Sequence, residues 1–439
     1  MAFSSSSLLR LIYPKGIFTS NSNYCILGKW SARSSSASWF NQRGLSTAQD
    51  SPGPWLMLPP EYEDGKFCDK DGVFEIGKRS YKFYSLLDNK VQTPCFDEVI
   101  RDLPLTCRGS SHGWLALLGP QNEGFFLYNP ISRHHIKLPS IFNLPKLPRD
   151  QVMRSTSHTT WRDVQKLILS CSPDEDEENC RAVMINGFGN MLAFCCPGIS
   201  KEWTMMRDEE RGDRFYKDCV YSTSRKLLYG LTNGSGLETW DLGGDPASSP
   251  KLIKVDECNN YPSFEVFLWF MCLSNEYLVV AGEDLLLVVQ HTMNTVGPDG
   301  SCFNHIDKRP RPDNPRHMTI RFDVFKHDPE KGRFEFVDSS SSLGGLAIFV
   351  GQHHDAVAIP ATRFPELKSD SIYFTDGYLN GPLDGYESDD ERVGDEKFSG
   401  RDIGIYNYKD KTVSECYYPW DIVKDKLTTP IWFFPSGKI

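Results

Sequence analysis

Residues 112–139 restrict the possible folds more than any other part of this sequence. They read HGWLALL, a polar break GPQNEG, FFLYNP, ISRH and HIKLP. Two short apolar runs rich in β-formers flank a Gly-containing turn, and a third run follows. That order predicts a small antiparallel unit. Variations on the unit recur to the C-terminus, and no long amphipathic helix is visible after residue 50.

The recurrences can be placed along the chain. Ahead of the unit, GVFEI and KRSYKFYSL read as strands around a turn at Gly77. After it, strands are predicted over 164–171, then over 181–184 and 192–196 on either side of NGFGN. A meander follows over 215–220, 226–231 and 236–242, with Asn233-Gly234 as its turn signal. Further strands read as 264–272, 276–281 and 284–291, then 319–326 paired with 333–337 across HDPEKG. The series ends with 347–350, 356–359, 371–375, and 402–408 paired with 412–417 across KDK. The tail TPIWFFP is apolar and aromatic, as in a strand that packs home. Many short strands with hairpin turns favour an all-β fold, a β-propeller of degenerate four-stranded blades, about six or seven of them. The aromatic-bearing pieces GWLALL, KEWTMM, LETWDL and RFEFV fit a blade repeat loosely. The propeller is assigned to residues 61–439, behind a Pro-rich segment, 46–60, that is too broken by proline to be helical.

Charge separates the N-terminus from the body. Residues 1–49 contain no Asp or Glu but carry Arg10, Lys15, Lys29, Arg33 and Arg43. All 58 acidic residues lie from Asp50 onward against the remaining 43 basic ones, a formal charge of −15. Ser-rich, Arg-bearing and free of acids, residues 1–45 read as a disordered mitochondrial transit peptide with processing near Ser46; a chloroplast address is the alternative. No continuous apolar segment of the secretory kind follows the first basic residue. The acidic body argues against nucleic acid as a partner. The longest apolar candidate, 277–290, is broken by Gly282, Glu283 and Asp284, so no membrane insertion is expected.

Sites of chemistry are sparse. Phosphate-loop, serine-hydrolase, zinc-protease and EF-hand motifs are absent. Gly187-Phe188-Gly189 and Gly234-Ser235-Gly236 read as hairpin turns, since neither opens a helix. The 13 cysteines include no Cys-x-x-Cys, and adjacent Cys195 and Cys196 point to opposite faces of a strand. A reducing compartment fits them. The pairs His134–His135 and His353–His354 point apart for the same reason, which disfavours a shared metal. The acidic ESDDERVGDE, 387–396, reads as a solvated insertion, and the Pro-broken basic KRPRPDNPRH, 308–317, as an inter-strand loop. Trp114, Trp203, Trp240, Trp269, Trp420 and Trp432 are assigned to blade or closure packing.

SSHGWLALL followed by FFLYNPISRHHIKLP resembles the opening blade of plant F-box-associated, kelch-like propellers. YSTSRKLLYGLTNGSGLETWDL, EYLVVAGEDLLLVVQ, RFDVFKHDPEKGRFEFVDSSSSLGGLAIFVG and SIYFTDGY with DIGIYNY resemble, in that order, the plant domain of unknown function 295, over about residues 54–439. Members carry an F-box ahead of the propeller, or a transit peptide without one. Too few residues separate Ser46 from Trp55 for an F-box, so the resemblance implies the organellar branch; it carries over no catalytic residues.

The expectation is a non-catalytic organellar propeller that binds an unidentified protein partner, with no cofactor, metal or catalytic residue assigned. The enzyme alternative is a hydrolase or lyase using channel carboxylates, with Asp323, Asp376 and Asp402 as first suspects. A third reading, an F-box-like substrate-recognition adaptor with a ubiquitin-ligase partner, is weakened by the missing F-box.

Overall fold

The structure is a computed structural model that describes residues 53–59, 61–62, 79–93, 100, 105–119, 124–141, 144, 164–186, 190–207, 214–234, 236–243, 249–258, 272–296, 316–338, 342–375, 402–414 and 430–435. Residues 1–52, and with them the transit-peptide reading, lie outside this set. So do Asp376, Trp269, Trp420, residues 387–396 and residues 308–315 of the basic loop.

Among the described residues the strands, apart from a two-stranded ribbon of Glu61–Tyr62 with Arg79–Ser80, fall into six blades around a ring, the first five of them antiparallel. Blade I sets Ile431–Phe433, Trp55–Met57, Phe83–Ser85 and Lys90–Gln92 side by side. Blade II contains the antiparallel unit of residues 112–139 and the strand before it: Thr106–Ser111, Trp114–Leu118, Phe125–Tyr128 and His135–Leu138. Blade III contains Val164–Leu169, Ala182–Asn186, Met191–Cys195 and Thr204–Met205. Blade IV contains Tyr216–Ser222, Leu227–Thr232, Gly236–Asp241 and Lys251–Glu257. Blade V contains Cys272–Ala281, Asp284–Val296, Arg316–Asp328 and Arg333–Phe336. Blade VI departs from the four-stranded pattern. It runs Val357–Pro360, Leu346–Val350, Ser371–Phe374, Gly404–Asn407 and Thr412–Ser414, and joins blade V through a parallel pairing of Val357 with Val280.

The blades are buried on both faces, which is why their central strands read as continuous apolar runs rather than alternating ones. In blade II, Leu115 and Leu117 pack toward blade I, while Trp114, Ala116 and Leu118 pack toward blade III. Six cores result, one between each neighbouring pair of blades. The last of them joins Phe349 and Tyr373 of blade VI to Leu56, Tyr84 and Trp432 of blade I. The ring is thereby closed by both ends of the chain: Trp55, Leu56 and Met57 pair antiparallel with Phe433, Trp432 and Ile431. Proline breaks the segment around Trp55–Met57 only outside these three residues. Trp114, Trp240 and Trp432 are fully buried and Trp203 nearly so, as their assignment to packing requires.

Two glycines set the geometry of blade II. His112 and Gly113 both have positive φ, 51° and 78°, and make the two-residue turn that matches the twist of paired strands. At Gly109 a Cβ would sit 2.6 Å from the Leu167 carbonyl oxygen, so blade II can approach blade III this closely only with glycine there. No described helix is long and apolar enough to cross a membrane.

Candidate functional site

The innermost strands carry polar residues because they face the axis, where no neighbouring blade covers them with apolar groups. Segment 351–356, which links Leu346–Val350 to Val357–Pro360, leaves blade VI and crosses that axis. The Asp355 backbone N–H donates to the Ser110 carbonyl at 2.9 Å, and the Ser111 hydroxyl donates to the Asp355 carboxylate at 3.0 Å. His353 donates from Nδ1 to the Gln165 carbonyl at 2.8 Å, in the blade opposite its own. His354 Nδ1 donates to the carbonyl of Asp355, also at 2.8 Å. On the far side Lys166 Nζ lies 2.6 Å from Asp218 Oδ1, and Asp218 Oδ2 accepts the Leu278 backbone N–H at 2.7 Å. The inner edges of blades II to VI are thus tied together by buried polar groups.

Burial governs the protonation of this cluster. It pushes His354 down to about 4. His353 falls to about 3, with the Arg108 guanidinium adding to the effect of burial. Burial also raises Asp355, against the pull of the Lys166 ammonium. For Lys166 the burial cost is outweighed, chiefly by the Asp218 carboxylate, so its pKa rises.

A second polar line crosses blade V. The Ser274 hydroxyl lies 3.0 Å from His291 Nδ1, and His291 Nε2 lies 3.0 Å from Asp323 Oδ2. A carboxylate accepts, so Nε2 carries the proton and Nδ1 is left to accept from Ser274. Arg321 sits 2.5 Å from Asp323, and with His291 it holds that carboxyl below its usual range despite burial. Ser274 is exposed at the end of the line.

The sequence suspects are therefore separated. Asp323 belongs to this line, whereas Asp402 accepts both the backbone N–H of Thr319, at 2.8 Å, and its hydroxyl, at 2.5 Å. Thr319 continues the chain of contacts through Gln290 to Tyr277, which joins blades V and VI. Thr319 and Asp323 are four residues apart on one strand, roughly 13 Å of rise. Glycosidase carboxylates stand about 5–9.5 Å apart, so Asp323 and Asp402 do not form such a pair. His134 and His135 diverge, the first to Asp174 at 3.4 Å and the second to the edge of the Phe126 ring. Cys195 and Cys196 are both buried free thiols. Among the described residues no group of His, Cys, Asp and Glu could hold a metal ion. The axial cluster escapes sequence reasoning because Lys166, Asp218 and Asp355 are far apart in the chain and lie in no motif; the one signal is a charge within a strand-like run at Lys166 and Asp218, and Asp355 lies in a link between strands.

A mixed-charge cleft marks the hairpin ends of blades IV and V. It is lined by Arg225, Glu283, Asp284, Lys326, Asp328 and Glu335. Lys326 lies 2.7 Å from Asp284, and Arg225 3.5 Å from Glu283.

Two outcomes follow for the axis. Lys166→Met strands the Asp218 charge and is expected to cost about 3–5 kcal/mol in urea unfolding, while Lys166→Met with Asp218→Leu costs less. For pH, both histidines have folded pKa values below the ordinary 6.5, so their contribution is complete above pH 6.5 and is lost as pH falls toward 4. Asp355, shifted upward, offsets part of that loss. The urea midpoint is expected to drop between pH 7 and pH 5, and less so in His354→Gln.

Comparison with known proteins identifies the family. The sequence profile described as KIB1-4 beta-propeller matches residues 83–407. No curated protein matches the chain. Among solved structures, "YCF48 bound to D1 peptide" is 10% identical with a TM-score of 0.30, covering 66% of this chain and 68% of that one. The complex of KlAtg21 with the coiled-coil of AgAtg16 is 7% identical with a TM-score of 0.31, covering 60% and 77%. The beta-propeller domain of Myceliophteria thermophila Cps50 (Swd1) is 9% identical with a TM-score of 0.28, covering 64% and 86%. A family match over most of the chain, on a closed ring of blades, makes this protein a member of the KIB1-4 beta-propeller family.

Proposed function

We propose that the protein is a mitochondrial interaction module that binds another protein through one face of its ring. The observation that carries this reading is the filled axis. Segment 351–356 occupies it: Asp355 accepts from Ser111, His353 donates to the Gln165 carbonyl, and Lys166 beside them is paired with Asp218, which leaves only Asp355 Oδ1 and His354 Nε2 of the segment's buried side-chain atoms without a partner. Binding then falls to the hairpins and loops at the blade ends. The cleft between Arg225 and Glu335 offers alternating charge of the kind that orients a protein partner. The acid-free leader supports the mitochondrial address. The ordered motifs support a place in the organellar, F-box-free branch of the plant domain of unknown function 295. Affinity purification of the tagged full-length chain from isolated mitochondria, with nuclease treatment, is expected to recover a stoichiometric protein partner. Arg225→Glu with Lys326→Glu is expected to reduce its recovery about tenfold. A lone monomer, or absence of the chain from mitochondria, would contradict the reading.

One observation favours a second reading, a propeller hydrolase. The Ser274–His291–Asp323 line has the connectivity of a nucleophile, a base and the group that fixes the base's tautomer. On this reading a fluorophosphonate labels Ser274, and Asp323→Asn slows labelling about a hundredfold. Ser274 left unlabelled in the folded chain removes it.

A further inference from the structure

The base of one acidic hairpin holds two cysteines opposite each other. In blade III, Leu169 pairs with Ala182, and the Ser170 backbone N–H donates to the Arg181 carbonyl at 2.9 Å. Continuing the register sets Cys171 against Cys180. Because the position before it carries the backbone hydrogen bond, this pair falls at a non-hydrogen-bonded site, where Cα atoms stand about 4.5 Å apart. That spacing lies within the range a disulfide spans. The Cys180 thiol also reaches across the pair: its Sγ donates to the Cys171 carbonyl oxygen at 3.3 Å. We propose that Cys171 and Cys180 are an oxidisable dithiol, closed to a disulfide by exchange with a low-molecular-weight disulfide of the glutathione type.

The two thiols are unequal in ways the exchange needs. Cys171 is partly exposed, while Cys180 is wholly buried. A side-chain contact between the two thiols holds Cys171 below its ordinary value, and that contact, with burial, pushes Cys180 up. Cys171 is therefore the attacking sulfur. Its thiolate attacks one sulfur of RS–SR, the S–S bond breaks, and RS⁻ leaves to be protonated as RSH. Cys180 then gives up its proton and attacks Cys171 Sγ in the mixed disulfide, releasing the second RSH. Two protein thiols are oxidised to one cystine as RS–SR is reduced to two RSH. Cys107 and Cys219 do not compete, since burial raises the first to about 12 and the second further.

The bond would pin the strands beneath the acidic turn that contains Asp174, Glu175 and Asp176. This turn already leans on blade II, where Asn129 Nδ2 donates to Asp174 at 2.8 Å. Oxidation would thus stiffen the most acidic hairpin among the described residues.

The test is oxidation of the purified full-length chain with oxidised glutathione, followed by alkylation and non-reducing peptide mass spectrometry. The expected product is a Cys171–Cys180 linked peptide, with a raised urea midpoint that dithiothreitol reverses. Cys180→Ser is expected to stop at a glutathione adduct on Cys171, and Cys171→Ser to leave Cys180 unmodified. Cys195→Ser, at a neighbouring buried thiol, should still form the linked peptide. Two free thiols after oxidation, or an unmutated chain that stops at the adduct, would overturn the proposal.

Discussion

Everything in this structure depends on the short pairing of Trp55–Met57 with Ile431–Phe433. A propeller blade buries both faces, so an open ring would leave two apolar faces in water. Here those would be the face bearing Leu56, Tyr84 and Trp432 and the face bearing Phe349 and Tyr373. Three residues from each end of the chain prevent that. Trp432 is fully buried, with ring centroids 4.9 Å from Phe349 and 6.3 Å from Tyr373. At about 25 cal/mol per Å² of apolar surface, an aromatic contact of this size outweighs the few backbone hydrogen bonds of so short a pairing.

The second constraint is at the centre. Six blades surround an axis, and the chain runs its own segment 351–356 across it to reach Ser110, Ser111 and Gln165. Placing charges there is costly unless each finds a partner, and Lys166 with Asp218 is such a partnership. The arrangement makes the inner edges interdependent, since Asp218 also accepts a backbone N–H from blade V. Acid weakens it through His354, and loss of Lys166 weakens it through Asp218.

How much of this is legible in the sequence follows from which surfaces are buried. WLALL and MLAFC read as strands because both of their faces enter a core. Thr106–Ser111 does not, because its polar residues look onto the axis and Gly109 is there for close approach to Leu167. Lys251–Glu257 is an outer strand with most of its side chains in water, so its pattern is that of a loop. The parallel pairing of Leu346–Val350 with Ser371–Phe374 has no sequence signature, and the antiparallel pairing of Leu346–Val350 with Val357–Pro360 is the hairpin whose connection is the axial segment. Asp323 is singled out correctly as a strand carboxylate, but its partners Ser274 and His291 come from neighbouring strands. Only the register of the sheet brings them together.

Amide hydrogen exchange of the full-length chain tests ring closure most directly. If Trp55–Met57 and Ile431–Phe433 close the ring, their amides are protected as strongly as those of Trp114–Leu118, since all open only with the whole ring. Exchange of either end segment at the rate of an unstructured peptide, while the other blades remain protected, would contradict the account.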